Sequence, residues 1–321
     1  MIQKEWKIRA GFVGFGEVNT PREFIDNRCR IAADELKKRG VELFETAPVS
    51  DDPAGEQAQR AVEELSKGDF DALVVCIAGW IPTWAVIKFI EPFKHKPMLL
   101  WGLSGWRENG HFVTTADQAG STALRAPMQE MGFNFKYLVN KKDAEPRYDE
   151  AVSYLRAASA SAMMHHAFIG MSGYRDMRLF GTLYDGNLLK RKIGAEIEHF
   201  DLMEIQELIG NISEAEINAG AEHIRKNWKF IRAPKEGTVE NSVRLSLAFQ
   251  KKIKERGYDA FSFCDVDGVK KLMKFAPAGA LQGLDAVFNL PVPVVPQMVG
   301  NILEQAVFSA LSHWNYAPLT Q

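Results

Sequence analysis

The sequence predicts an α/β protein built from two doubly wound parallel sheets, and three observations carry that prediction. Short apolar runs alternate with longer segments of helical period, the pattern of successive βαβ units. The pattern occurs twice: KKRGVELFETAPV (37–49) and KRKIGAEIEHFDLM (190–203) each join a basic helix end, a glycine stop and a strand with alternating carboxylates. Between the two halves lies a charged stretch, NKKDAEPRYDE (140–150), that marks a change of domain. The expected division is a first α/β domain at 1–142, a second at 143–297 and a helical tail at 298–321.

Ala10–Phe15 is an unbroken apolar run with glycines and reads as the first strand. Pro21–Arg39 reads as a helix that can bury Phe24, Ile25, Ile31, Ala32 and Leu36. Thr20 with Glu23 forms a capping box, Pro21 takes the first helical position and Gly40 ends the helix. Strand Val41–Val49, helix Ala54–Ser66, strand Phe70–Ile77, helix Thr83–Phe93, strand Pro97–Trp101, helix Ala116–Met131 and strand Phe135–Val139 complete the first half. The second half opens with a helix through Asp149–His166 and strand Ala167–Met171. A helix around Leu183–Ile193, strand Glu196–Leu202 and helices near Ala215–Asn227 and Val239–Arg256 follow. Strand Tyr258–Cys264, a helix near Ala278–Phe288 and strand Val292–Val295 close the unit, before a short amphipathic helix at Ile302–Leu311.

Composition narrows the function classes. The net charge of −2 gives no reason to expect nucleic acid or anionic lipid as a partner. No apolar run reaches the ~20 residues of a spanning helix, and the start MIQKEWKIRAGF lacks the apolar core of a secretory signal. Cys29, Cys76 and Cys264 are odd in number and far apart, which fits reduced thiols in a cytoplasm.

Chemistry is sought where strands end, since open α/β sheets bind ligands at their carboxyl edges. GFVGFGEVNTPREF (11–24) resembles a dinucleotide turn but departs from G-x-G-x-x-G. No third glycine follows Gly16, the expected helix start at Pro21 is late, and Glu17 puts a carboxylate where phosphate would sit. Glu45, at the end of the second strand, stands where a ribose-binding acid would be. CIAGWIPTW (76–84) offers Trp80 and Trp84, either as stacking platforms or as cover for the core. WGLSGWRENGH (101–111) reads as a polar loop beside them.

GYRDMRLFGTLYDG (173–186) gathers Arg175, Asp176, Tyr184 and Asp185 after a strand, either around a ligand or as an Arg–Asp brace. Asp265 and Asp267 in FCDVDG are either ligands for Mg²⁺ or Mn²⁺ or members of a solvated turn. His165 and His166 are neighbours on a helix, so they diverge and read as packing residues.

Four segments together resemble the L-fucose/L-arabinose isomerase family: GFGEVNTPREF, FDALVVCIAGW, FIGMSGYRDMRLFGTLYDG and KIGAEIEHFDLMEI. The resemblance runs from about residue 8 to about residue 296. It implies two Rossmann-like units, an aldose–ketose isomerase acting on a small sugar through an ene-diol on Mn²⁺, and a homo-oligomer, typically a hexamer, with a cleft formed by strand ends. It places Arg22, Trp80 and Met171 in the substrate pocket, beside Tyr174, Arg175 and Asp185 from the second-half turn.

The family's metal carboxylates have no counterpart at APAGAL (276–281) or after PVPVVP, where Gln297-Met298-Val299-Gly300 stands, and His313 lacks matching context. The family's C-terminal β-barrel is absent from the 25 residues after Pro296. A truncated chain, a shifted reading near residue 297 and a non-catalytic sugar-binding or assembly relative are alternative accounts. A dinucleotide-dependent oxidoreductase is the remaining reading.

Overall fold

The computed structural model describes residues 7–180, 183–274 and 294–296. The chain divides into two compact units, residues 5–162 and the part from 163 onward. The division falls inside a helix, α5 (Tyr148–His166), and not in the charged stretch before it. The reason is packing: Ala151, Val152, Leu155 and Ala158 of α5 are buried in the first unit's core.

The first unit holds five parallel strands: β1 (Ile8–Phe15), β2 (Val41–Glu45), β3 (Ala72–Ile77), β4 (Met98–Gly102) and β7 (Phe135–Val139). Their order is β2-β1-β3-β4-β7, so the direction of winding reverses between β1 and β3. All six residues of β3 are buried, as a central strand covered on both faces requires. One face packs against α1 (Arg22–Lys38) and α5; the other packs against α2 (Glu56–Leu65), α3 (Thr83–Ile90) and α4 (Asp117–Glu130).

Helix α1 buries Ile25, Cys29, Ala32, Ala33 and Leu36, one stripe at helical spacing. Its start differs from expectation: Pro21 is the cap and no side chain caps the helix, so the Thr20–Glu23 box does not form. The expected loop at 101–111 also differs. It is a hairpin of β5 (Trp106–Glu108) and β6 (His111–Val113), rooted on Asp117. That buried carboxylate accepts hydrogen bonds from the Ser104 and Gly105 amides and from Thr114 Oγ1.

The second unit repeats the winding with β8 (Phe168–Ser172), β9 (Glu196–Phe200), β10 (Ala260–Phe263) and β11 (Val294–Pro296), all parallel in the order β11-β10-β8-β9. Helix α6 (Gly186–Ile193) makes the first crossover, and α7 (Leu202–Gly210), α8 (Glu214–Asn227) and α9 (Thr238–Arg256) the second. Its core centres on Phe249, whose ring lies 4.8 Å from both Phe261 and Phe263. Helix α7 begins where a strand was expected to continue. Asp201 accepts from Met203 N at 2.8 Å and caps it. The expected helices near 278–288 and 302–311 lie outside the described residues. Among the described residues there is no β-barrel, and no helix is long and apolar enough to cross a membrane.

Candidate functional site

The densest constellation lies in the second unit, where the turn after β8 leads into α6 and then β9. The turn is strongly constrained. Gly173 has φ of +81°, and the non-glycine residues Met177 (φ 47°) and Arg178 (φ 57°) also sit in the left-handed region, which costs about 1–3 kcal/mol each.

Asp176 supplies the compensation. Fully buried, it accepts from Val266 N (3.0 Å), Asp267 N (2.8 Å) and the Cys264 thiol (3.3 Å). Asp267 returns a bond by accepting from Met177 N at 2.7 Å. The expected brace between Arg175 and Asp176 is therefore a brace between two loops at the carboxyl ends of β8 and β10. Asp265 is also buried. Burial, then the hydrogen bond and charge of Asp176, push its carboxyl up to about 6. Asp176, despite its own burial, is held below the usual range by Asp265, the two amides and the thiol.

Beside this brace a cavity of about 610 Å³ runs along edge strand β9. Met171, Leu183, Leu189 and Ile197 give it an apolar wall; Tyr174, Tyr184 and His199 give ring surface. Register explains the meeting of Met171 and His199, which face each other across β8 and β9. Tyr174 stacks on His199 with centroids 5.5 Å apart and planes within 13°. Tyr184 lies almost parallel to His199 on its other contact, at 5.9 Å and 8°.

The hydroxyl of Tyr184 meets His199 Nε2 at 2.5 Å, and Nδ1 lies 3.3 Å from the Gly173 carbonyl. Burial raises the Tyr184 phenol above its ordinary range. Among the lining's Lys, Arg and Glu side chains, two cations meet one anion. Lys190 pairs with Glu196 at 3.2 Å, while the Arg175 guanidinium stacks over Phe180 and donates to the Leu179 and Arg178 carbonyls.

Of the residues expected from sequence, Met171, Tyr174 and Arg175 line this cavity. Asp185 does not. It caps α6, its carboxylate accepting from Leu188 N at 2.9 Å, and so positions Asn187 and Lys190 from behind. His199 was not among the expected residues, because the alternation Glu-Ile-Glu-His-Phe reads simply as a strand. Tyr174 and Tyr184 at the turn and a histidine on the edge strand were the available signal.

Arg22 and Trp80 belong to the first unit. Arg22 is held by Asp26 (2.8 Å), the Pro48 carbonyl (2.7 Å) and Gln57 (3.4 Å). Trp80 and Trp84 are both exposed, 39% and 49%, so neither is core cover. Glu45 pairs with Lys37.

The glycine turn is not an open phosphate cradle, since its successive amides are already bonded. Gly16 N donates to the Val49 carbonyl (3.3 Å), Glu17 N to the Trp80 carbonyl (2.8 Å) and Val18 N to Asp51 Oδ1 (2.9 Å). Gly14 serves packing: a Cβ there would lie 2.1 Å from Cys29 Sγ of α1.

The described residues do not fit the expected Mn²⁺. Among them no group of three or more His, Cys, Asp or Glu is placed to hold a metal ion. Asp265 faces Asp176, and Asp267 is bound by Met177 N and Lys271. The positions 276–281, 297–300 and 313 lie outside the described residues.

The fold and site thus define a two-unit α/β protein with a ligand-sized cavity. Comparison with protein families finds no matching model, and comparison with curated proteins finds no match. Among solved structures, the chain matches a C2-type ketoreductase from a modular polyketide synthase, at 12% identity and a TM-score of 0.33, covering 90% of this chain and 81% of that one. These results correct the sugar-isomerase expectation. No isomerase family model and no curated isomerase matches the chain. The expected ene-diol chemistry on manganese, and the sugar-binding alternative that rests on the same resemblance, are withdrawn. At that TM-score the likeness transfers no activity either.

Proposed function

We propose that the second unit binds a small, neutral or singly anionic organic molecule in the cavity along β9. The observation that carries the reading is the convergence of Tyr174, Tyr184 and His199 rings with an apolar wall around about 610 Å³. That volume lies within the ~300–1,000 Å³ of ordinary ligand pockets, and the lining mixes apolar side chains with polar and charged ones in similar measure. Ring faces accept a flat or saturated ring, while Asn187 meets hydroxyl or carbonyl oxygens and Tyr184 and Glu196 accept from hydroxyls. The Lys190–Glu196 pair and the internally bonded Arg175 leave little net charge to select a polyanion. Three free, buried cysteines support a reducing, intracellular setting for this activity.

The test is a thermal-shift screen of cyclic polyols, hydroxy acids and hydroxylated aromatics, with hits confirmed by calorimetry. Ile197→Phe, which fills space at the cavity wall, is expected to remove the binding while leaving far-UV circular dichroism unchanged. Binding that Ile197→Phe leaves intact would place the ligand elsewhere and refute the reading.

A further inference from the structure

The hydrogen bonds around His199 fix more than its position. A carbonyl oxygen can only accept, so the contact between Nδ1 and Gly173 O places a proton on Nδ1. In the neutral ring Nε2 then carries a lone pair and must accept from the Tyr184 hydroxyl 2.5 Å away. The Tyr184 oxygen, its proton directed at the imidazole, keeps its remaining lone pair for a group in the cavity that both residues line. This is the order of a proton relay: cavity, phenol, imidazole, backbone carbonyl.

We propose that the cavity is an acid–base catalytic site in which Tyr184 deprotonates a hydroxyl or water bound there and His199 takes up the displaced proton. The inference rests on the cavity being a ligand site, as proposed above. In the step, the O–H bond of the bound group breaks and a new O–H bond forms at Tyr184 Oη. The original Tyr184 O–H bond breaks and an N–H bond forms at His199 Nε2. Nothing is oxidised or reduced. The result is an oxygen nucleophile, a neutral tyrosine and an imidazolium whose Nδ1–H remains bonded to the Gly173 carbonyl; the reverse transfer returns the proton to the product.

Stacking by Tyr174 holds the imidazole plane, with centroids 5.5 Å apart. Tyr184 is the catalytic residue in this scheme, and His199, acting through it, is the positioning residue.

Hydrolysis of p-nitrophenyl acetate by the full chain tests the relay, with water as the nucleophile and p-nitrophenolate as the leaving group. The wild-type rate is expected to exceed that of buffer. Tyr184→Phe and His199→Gln should each lower that rate about tenfold or more. The double variant should lose no more than either alone, because the two act as one unit. His95→Gln, at an exposed imidazole outside the cavity, should leave the rate unchanged.

¹⁵N spectra should show His199 predominantly protonated on Nδ1. A wild-type rate no higher than buffer, an unaffected Tyr184→Phe variant, or independent multiplying losses would each overturn the relay. Ligand-induced thermal shifts that persist in Tyr184→Phe would then show that the cavity binds without catalysing. Relay-dependent hydrolysis with no ligand shift from any compound would instead overturn the binding reading alone.

Discussion

Replacing Asp185 by alanine separates two roles that the sequence leaves together. In the structure its carboxylate accepts from Leu188 N at 2.9 Å and stands at the positive end of α6, a helix of only eight residues. Loss of such a cap costs about 1 kcal/mol, in a range of about 0.5–2. Loss of the negative charge near the helix start adds about 0.3–1 kcal/mol. Together these make about 1–2 kcal/mol, a five- to thirtyfold or so change in the folded-to-unfolded ratio. For a unit of this size the melting temperature should fall by about 4 °C.

Asp185→Asn retains the acceptor and should cost only the charge term. Urea titrations followed by circular dichroism give the global value, and amide hydrogen exchange at Leu188 and Leu189 reads the helix itself. Ligand affinity should change only modestly, since Asp185 does not line the cavity. If Asp185→Ala abolished binding without loss of stability, or if Asn proved as harmful as Ala, the capping argument would be wrong.

Gly14→Ala should destabilise the first unit by about 1–3 kcal/mol through overpacking against Cys29, and Cys29→Ala should recover much of that loss in a double-mutant cycle of denaturation midpoints. Phe249→Ala, which empties a fully buried ring site between Phe261 and Phe263, should cost about 3–5 kcal/mol in the second unit by calorimetry. Asp265 titrates higher folded than unfolded, so the folded state binds the extra proton between about pH 4 and about pH 6. Its contribution to stability is therefore greatest at the acid end of that window and is lost as pH rises through about 6. Asp265→Asn should remove that decline, and a variant whose pH–stability curve keeps the wild-type slope there would refute the assignment.

Much of the fold was legible because strand burial writes itself into runs such as Ala72–Ile77 and helix packing into positions such as Ile25, Ala32 and Leu36, although Phe24 and Ile31, expected on the same face, are exposed and Cys29 takes a buried place that was not expected. The repeated helix-end, glycine and strand pattern also marks corresponding elements, β2 in one unit and β9 in the other. Local rules failed where long-range partners decide the outcome. The β5–β6 hairpin depends on a carboxylate of the next helix that bonds backwards to Ser104 and Gly105. The domain division lies inside α5 because its apolar face is claimed by the first unit's core, which the charged stretch before it does not reveal.

At the site, the turn was visible as a cluster of polar and aromatic residues, but the roles within it were not. Asp185 turned out to be a cap and Asp176 an inter-loop anchor, both hydrogen-bond assignments that need three-dimensional partners. His199 gained its place from strand register alone, opposite Met171.

The carboxylate of Asp51 on the Val18 amide has a practical corollary. It behaves as a tethered competitor, present at an effective concentration far above that of any dissolved phosphate, because the folded chain holds the loop after β2 beside the turn after β1 and so removes most of the entropic cost of association. Phosphate buffers and free nucleotides would have to evict it before touching that strand end. The first unit should therefore keep the same melting temperature when either is added, whatever its resemblance to nucleotide-binding turns.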